Sequence, residues 1–210
     1  MAFAALGAAE LLTFDPEHRA ARALLTDYAS SVPAPNSDLT WPWPEPRLKY
    51  ANAVLPEAMI AAGTTLADAT VCERGLDLLA WLVAFETADG HLSPTPVGGR
   101  GAEDTRPGFD QRPIEVSTLA DACARAAAVD TDPRWLAGVR AAATWLMGDN
   151  DAGEPMWDPD TGSGYDGLLA DGVNSNQGAE STLAVISTLQ HARCLSLCRN
   201  DFGSGRAHRT

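Results

Sequence analysis

The chain has no run of about 18 apolar residues, so no segment of it reads as a membrane-spanning helix. Its beginning, Met1-Ala-Phe-Ala-Ala-Leu-Gly-Ala-Ala-Glu10-Leu-Leu, has no basic stretch ahead of the apolar residues and carries a glutamate among them, which reads as a helix and not as a signal peptide. Basic side chains are scarce: 15 Lys and Arg stand against 28 Asp and Glu, for a net charge of −13. That balance disfavours a sequence-independent grip on nucleic acid phosphates or anionic lipid. Cysteine is sparse too. Cys72, Cys123, Cys194 and Cys198 fall at irregular distances inside helix-like patterns, which suits buried core thiols in a reducing compartment, the cytoplasm, better than a disulfide framework. No Gly-Lys-Ser/Thr ending completes a phosphate loop and no dinucleotide fingerprint follows a strand. No Cys/His pair stands at zinc spacing to complete a site with Cys194 and Cys198, which argues against a zinc-dependent toroid such as a lanthionine cyclase. Neither a cofactor nor a metal is expected. Strand signals are nearly absent, and the expected class is all-α.

What is present is alanine and leucine at three- and four-residue spacing from end to end. With 210 residues, 45% of them hydrophobic, the chain suffices for one domain with a sizeable core. The domain is expected over residues 1–197, with a polar, loose tail over 198–210. The pattern predicts helices over Ala2 to Thr13, Pro16 to Ser31, Leu48 to Ala62, Ala67 to Thr87, Pro113 to Val129, Pro133 to Gly148 and Asn176 to Leu197. Asp15-Pro16 and Asp132-Pro133 mark starts, each an Asp cap followed by Pro at the first helical position.

The helices alternate between two types. Asp15-Pro-Glu-His-Arg-Ala-Ala resembles Asp132-Pro-Arg-Trp-Leu-Ala-Gly, and laying Trp81 over Trp145 aligns the fourth helix with the sixth. The odd helices repeat as well, placing Glu57, Glu115 and Glu180 in their early turns. A period of about 60 residues built from two helix types implies stacked helical hairpins, in a solenoid or a toroid. Long Gly/Pro/Asp/Trp-rich connections, Asp89 to Arg112 and Asp149 to Ser175, follow even helices, whereas Val129 to Asp132 is a tight turn. Long loops therefore gather at one end of the stack; loops of such length in a compact domain are usually functional or disordered, and the Trp, Tyr, Asn, Asp and Gly in turn-like strings here favour the functional reading.

Five groups of residues carry candidate chemistry. If the odd helices form an inner ring, Glu57, Glu115 and Glu180 converge on one cavity. Paired carboxylates are what glycoside chemistry uses, at about 5 Å or about 6.5–9.5 Å according to the stereochemical course; acidic residues near helix N-termini also simply complement the helix dipole. The loop with Asp149, Asn150, Asp151, Trp157, Asp158, Asp160, Tyr165 and Asp166 interleaves amides and carboxylates with aromatic rings, the equipment of sugar binding. A calcium loop is the rival there, but the glycine and glutamate of an EF-hand are missing at their places; plain turn-capping is the other alternative. Asn174 to Thr182, with Asn176, Gln177 and Glu180, is more polar than one helix cap needs. Trp41-Pro-Trp43-Pro-Glu45-Pro-Arg47-Leu-Lys-Tyr50-Ala-Asn52 reads as a half-buried cavity wall or as a polyproline ligand. Finally, His91, Arg100, Asp110 and Gln111 stand in a Gly/Pro-rich loop where His91 and Arg100 suit a sugar or a phosphate.

Several of these strings, Trp-Pro-Trp-Pro-Glu-Pro-Arg-Leu-x-Tyr-Ala-Asn (41–52), Gly-Gly-Arg-Gly (98–101), Phe-Asp-Gln-Arg-Pro-Ile-Glu (109–115), Gly-Asp-Asn-Asp (148–151) and Asn-Gln-Gly-Ala-Glu-Ser-Thr (176–182), resemble a family of bacterial six-hairpin glycosidase-like proteins. Its members are often labelled glycosyltransferase or follow a glycosyltransferase domain. The resemblance spans about residues 1–192. It implies an (α/α)₆ toroid with an oligosaccharide or polysaccharide site at the mouth, built from acidic residues of inner helices and the loops above them. Seven helices are fewer than the twelve of a closed ring, so an incomplete toroid, shortened at its N-terminus, is expected, with a homodimer covering the exposed flank.

The expected function is a carbohydrate-active protein with Asp110, Glu115, Asp151 and Glu180 as catalytic carboxylates. Trp43, Tyr50, Asn52, Glu57, His91, Arg100, Gln111, Asp149, Asn150, Trp157, Tyr165, Asp166, Asn176 and Gln177 are the expected saccharide contacts. One carboxyl of a working pair should stay protonated near neutral pH. A non-catalytic glycan-binding or scaffold module associated with a glycosyltransferase would use the same side chains, and a protein-interaction solenoid would use a helical face instead. Helical toroids also host epimerases, but His18, His191 and His208 fall in outer-helix, helix-end and tail contexts, leaving His91 without a second acid or base.

Overall fold

The structure is a computed structural model that describes residues 1–34, 36, 38 and 40–204, with side chains through residue 195. The end of the expected tail, with His208, and the side chain of Cys198 lie outside the described residues. Seven helices are present among them: α1 (Ala2–Phe14), α2 (Arg19–Ser31), α3 (Val54–Leu66), α4 (Ala69–Phe85), α5 (Pro113–Val129), α6 (Pro133–Leu146) and α7 (Ala179–Ser204). Two short antiparallel hairpins, β1 (Thr87–Ala88) with β2 (His91–Leu92) and β3 (Gly167–Leu169) with β4 (Gly172–Asn174), sit in the long loops. The protein is mostly helical and of the all-α class.

Consecutive helices pair as α1 with α2, α3 with α4 and α5 with α6, and the odd helices stand side by side, α1 on α3, α3 on α5 and α5 on α7. The burial periodicity follows that neighbourhood. α1 buries Ala5, Ala8, Ala9 and Leu12, and α2 answers with Ala21, Leu25 and Tyr28, one stripe each. α3 touches α1, α2, α4 and α5, and so buries Val54 and Pro56 through Gly63 with hardly a free face. Such close neighbours require small residues at the crossings. A Cβ on Gly63 would run into the backbone of Cys72 in α4, and one on Gly75 would meet the Ile60 backbone N of α3 at 2.9 Å.

Several helix boundaries differ from the sequence expectation, each for a local reason. The Asp15 N–H still bonds back to Leu11 at 2.9 Å, so Asp15 ends α1. A helix starting at Pro16 would leave no residues to reverse the chain; α2 begins at Arg19 instead, with His18 Nδ1 accepting from the Ala21 N–H at 3.2 Å. α3 begins at Val54, not Leu48. Leu48 is paired through its backbone with Arg100, and Ala51 has φ 48°, outside the right-handed helical region. α4 begins after Asp68, whose side chain accepts from the Val71 N–H at 3.1 Å, and Ala67 closes α3 in the left-handed conformation. α6 stops at Leu146 before Gly148, φ 105°. α7 starts at Ala179, so Asn176 and Gln177 precede it. Asp132-Pro133 starts α6 as expected, with Asp132 accepting from the Arg134 N–H at 2.9 Å.

Two other expectations are corrected. Cys123 is buried and Cys72 half-buried, but Cys194 is exposed and not a core thiol, because it lies on the face of α7 that no other described helix covers. Trp41 and Trp43 are both 5% exposed, too deep for a polyproline ligand to be offered to another protein. Trp41 meets Trp81 and Phe85 edge-on at 5.2 and 5.3 Å, and Trp43 stacks on Trp81 at 6.0 Å, which fixes the loop before α3 to α4. No helix of the described residues is long and apolar enough to cross a membrane.

The close crossing of α3 and α4 makes a paired prediction. Gly63→Ala must push α4 away and costs about 1–3 kcal/mol. Gly7→Ala, on α1 with no heavy atom within 4 Å of its Cβ position, gains about 0.5–1 kcal/mol of helix propensity. Urea denaturation of both variants checks this; equal effects would show that the crossing is not tight.

Candidate functional site

All three long connections, 32–53, 86–112 and 147–178, lead from an even helix into an odd one, so they meet at one end, over the heads of the odd helices. They are laced by backbone hydrogen bonds, which answers the need of buried loop amides for partners. Leu48 and Arg100 exchange N–H···O bonds of 2.8 and 3.0 Å, and Gln111 and Leu168 exchange bonds of 3.0 and 2.7 Å. Arg100, 1% exposed, is locked beneath the loops by the carbonyls of Ser93 and Pro94 at 2.6 and 3.2 Å. Glu86, also 1% exposed, accepts from the Thr95 N–H and hydroxyl at 2.9 and 2.5 Å, and burial raises its pKa.

Between the laced loops and the helix heads run three clefts that share lining residues. The first, about 380 Å³, is walled by Phe3, Trp43, Tyr50 and Asn52. The second, about 340 Å³, takes Arg47, Lys49 and Tyr50 from the same loop and adds Thr95, Arg112 and Glu115. The third, about 280 Å³, continues from Arg112 to Asp110, Asp166, Glu180 and Ser181. A further, mostly apolar pocket of about 210 Å³ among Val32, Met59, Leu78 and Trp81 borders the first cleft at Pro44 and Leu55 and holds none of these carboxylates.

Glu115 stands at the centre. It enters the first turn of α5 because Pro113 occupies the opening position of that helix. One carboxylate oxygen accepts the Ala51 N–H at 2.6 Å; the other accepts the Asn52 N–H at 3.2 Å and the Asn52 side-chain amide at 3.0 Å. Burial and the nearby Glu86 push its pKa up to about 7 against the pull of those three donors. In the same cleft the Tyr50 hydroxyl donates to Glu180 at 2.7 Å; that hydrogen bond and partial burial push the phenol up to about 12, so Tyr50 stays a donor throughout the neutral range. In the third cleft two carboxyls diverge. Asp166 accepts from the Ser181 hydroxyl at 2.7 Å, the Asn176 amide and the Gly178 N–H at 2.8 Å, and is held below the usual carboxylate range. Asp110 has one buried oxygen with no hydrogen-bond partner among the described residues, and burial raises its pKa.

The expected residues therefore part company. Glu115, Glu180, Asp110, Asp166, Tyr50, Asn52 and Trp43 line the groove. Asp151 lines none of its three clefts: it meets His91 Nε2 at 3.0 Å and accepts from the Gln111 amide at 2.6 Å, tying the two loops together. Glu57 does not converge with the other two repeated glutamates. It meets Arg125 Nε at 3.1 Å, and Arg125 also binds Glu10 at 2.7 Å, about 15 Å of helix rise down α5 from Glu115. Asn150 spends its amide on the carbonyls of Trp145 and Glu154 at 2.8 and 2.7 Å, while Asp149 is exposed beside it. Asp158 accepts the Asp160 N–H at 2.9 Å and the Gln177 amide at 3.0 Å. These side chains build turns. Trp157 and Tyr165 pack partly buried against the core. Among the described residues no group of three or more His, Cys, Asp and Glu is placed to hold a metal ion.

Sequence reasoning missed Arg112, Thr95 and Glu86. Arg112 had a signal, a cation directly before the Pro-Ile-Glu of α5. Glu86 had one too: an acid closing an apolar helix opposes the helix dipole, and its partner Thr95 is nine residues on with no motif between them. Comparison with known proteins finds no matching family model and no matching curated relative. The chemistry of the site thus rests on its geometry.

The buried Glu115 makes a pH prediction. Its folded-state pKa of about 7 lies above the ordinary 4.5, so its favourable contribution is complete below about pH 4.5 and is lost as the pH rises through about 7. The stability of the natural chain relative to Glu115→Gln should fall over that window by up to about 3 kcal/mol. Urea titrations from about pH 5 to 8 measure the difference; a difference that does not change with pH would refute it.

Proposed function

We propose that the protein is carbohydrate-active, an α/α-toroid module of six-hairpin glycosidase type that takes an oligosaccharide or polysaccharide along the groove over the odd helix heads and cleaves a glycosidic bond there. The observation that carries the reading is Glu115, a buried carboxyl titrating near neutrality on the wall of the second cleft, beside Tyr50, whose hydroxyl leads on to Glu180 in the third. A buried acid that keeps its proton near neutrality is what the protonating half of such a site needs. Glu115 in its protonated form donates to the glycosidic oxygen as the bond to the anomeric carbon breaks. Glu180, exposed in the groove and oriented by the Tyr50 hydroxyl, either takes a proton from the attacking water or attacks the anomeric carbon itself. Asp166, saturated by three donors, and Asp110 are groups that position the sugar. Tyr50, 52% exposed, supplies a face for its C–H bonds, and the three adjoining clefts suit several sugar units.

A non-catalytic glycan-binding module is the second reading. The three N–H donors on Glu115 favour it, because they anchor a carboxylate as well as they orient an acid.

A product-resolved incubation with α- and β-linked mannans, glucans and uronic acid oligosaccharides decides between them. The enzyme reading expects cleavage that drops by about 10²–10⁴-fold in Glu115→Gln and in Glu180→Gln, and kcat/KM that declines above about pH 7 as Glu115 loses its proton. Saccharide binding without product, unaffected by Glu115→Gln, would replace the enzyme by the binding module.

A further inference from the structure

We infer that the saccharide bound in this groove carries an anionic group, a carboxylate or a phosphate, which is received in the middle cleft by Arg112 with Arg47 and Lys49. The inference rests on the carbohydrate reading and names the substrate class within it. Its starting point is a local reversal of charge. A chain of 15 basic and 28 acidic residues places three cations around one cleft whose single acidic lining residue is Glu115. Glu115, raised toward neutrality by burial, adds less than a full negative charge there.

The three cations are not equivalent. Arg47 binds Asp104 at 2.7 Å and the Gly99 carbonyl at 3.0 Å, and Lys49 meets Glu45 at 3.4 Å. The Arg112 side chain is exposed and makes no hydrogen bond or ion pair with the described residues, though it stands close enough to Asp110 and Asp166 for its charge to lower both carboxyls. Its backbone is nevertheless firmly placed: Gln111 before it is fully buried and paired with Leu168, and Pro113 after it opens α5. An unpaired guanidinium carried by a fixed backbone into the lining that two clefts share is a fork for two oxygens, the geometry that carboxylate and phosphate share. Exposed ion pairs such as Arg47 with Asp104 and Lys49 with Glu45 hold weakly, so both side chains can turn to a bound anion at small cost. Arg112 also precedes Glu115 by a single helical turn, which sets the anion next to the acid on the same or the neighbouring sugar ring.

The test is titration calorimetry on the full chain at low salt with matched probes: a glucuronate oligosaccharide and its carboxyl-reduced neutral form, a hexose 1-phosphate and the free hexose, and inorganic phosphate alone. The charged member of at least one pair should bind at least about tenfold tighter than its neutral partner, and the charged pair that does so identifies the group. Arg112→Gln should remove that advantage while leaving the neutral ligand's affinity unchanged, and salt raised from about 50 to 300 mM should narrow it. Equal affinity for charged and neutral forms, or an Arg112→Gln variant that weakens both alike, overturns the inference and leaves the carbohydrate reading intact. Inorganic phosphate binding as tightly as the sugar phosphate removes the saccharide from the inference. Failure of every saccharide, charged or neutral, takes down the underlying reading itself.

Discussion

A single carboxyl joins the two middle hairpins at the end that the long loops cover. Glu115 of α5 receives the N–H groups of Ala51 and Asn52 and the Asn52 amide, three donors that the loop before α3 has no other way to satisfy. Ala51 and Asn52 are 4% and 5% exposed, so without the carboxyl those donors would be orphaned in a dry place, at about 1–3 kcal/mol each. The bond sets where α3 starts, since the chain must turn through the positive φ of Ala51 to present both amides. It also sets where Tyr50 points, and with it the partner of Glu180.

Below the groove a second polar seam keeps the odd helices in register. Arg125 of α5 bridges Glu57 of α3 and Glu10 of α1, and Asp121, one turn before it, binds Ser187 and His191 of α7 at 2.9 and 2.8 Å. All four odd helices are thereby linked through two neighbouring side chains of α5. Apolar stripes of alanine and leucine are permissive about sliding, because one methyl resembles the next. Charged pairs are not, and a slide of one turn would leave Glu57 buried with no cation. The groove above depends on that register, because its clefts are walled by residues at the starts of α1, α3, α5 and α7.

The bodies of the helices were legible in the sequence because the 3.6-residue period is a local property, and so was the α6 start at Asp132-Pro133. The gathering of long loops at one end was legible from connection lengths alone. What was not legible depended on partners distant in the chain. Leu48 to Asn52 has the composition of a helix start, but Leu48 is taken by Arg100 and Asn52 by Glu115, and these contacts outweigh a weak local propensity. Asp15-Pro16 and Asp132-Pro133 look alike, and only the second starts a helix, because the first is still bonded into α1. Asp151 and Asp110 are likewise indistinguishable as residue types in loops. One is consumed by His91 and Gln111, the other keeps an unpaired oxygen over the third cleft.

The repeated glutamate carries this point furthest. One residue type recurs in the early turn of three odd helices, and the environments make three different groups of it. Beside Arg125, Glu57 is half of a buried ion pair at 3.1 Å. Among amides and next to Glu86, Glu115 is an acid poised near neutrality. At the exposed head of α7, Glu180 is an acceptor for a phenol. A repeat therefore transmits position, and the loop laid over each helix head decides what the position does. The loop before α3 brings amides to one glutamate and Tyr50 to another, so one short segment, 50–52, differentiates two carboxyls of an otherwise periodic array. The difference among the three carboxyls arises from the breaking of the repeat by its irregular connections, and the helices supply only the fixed spacing against which that difference is held.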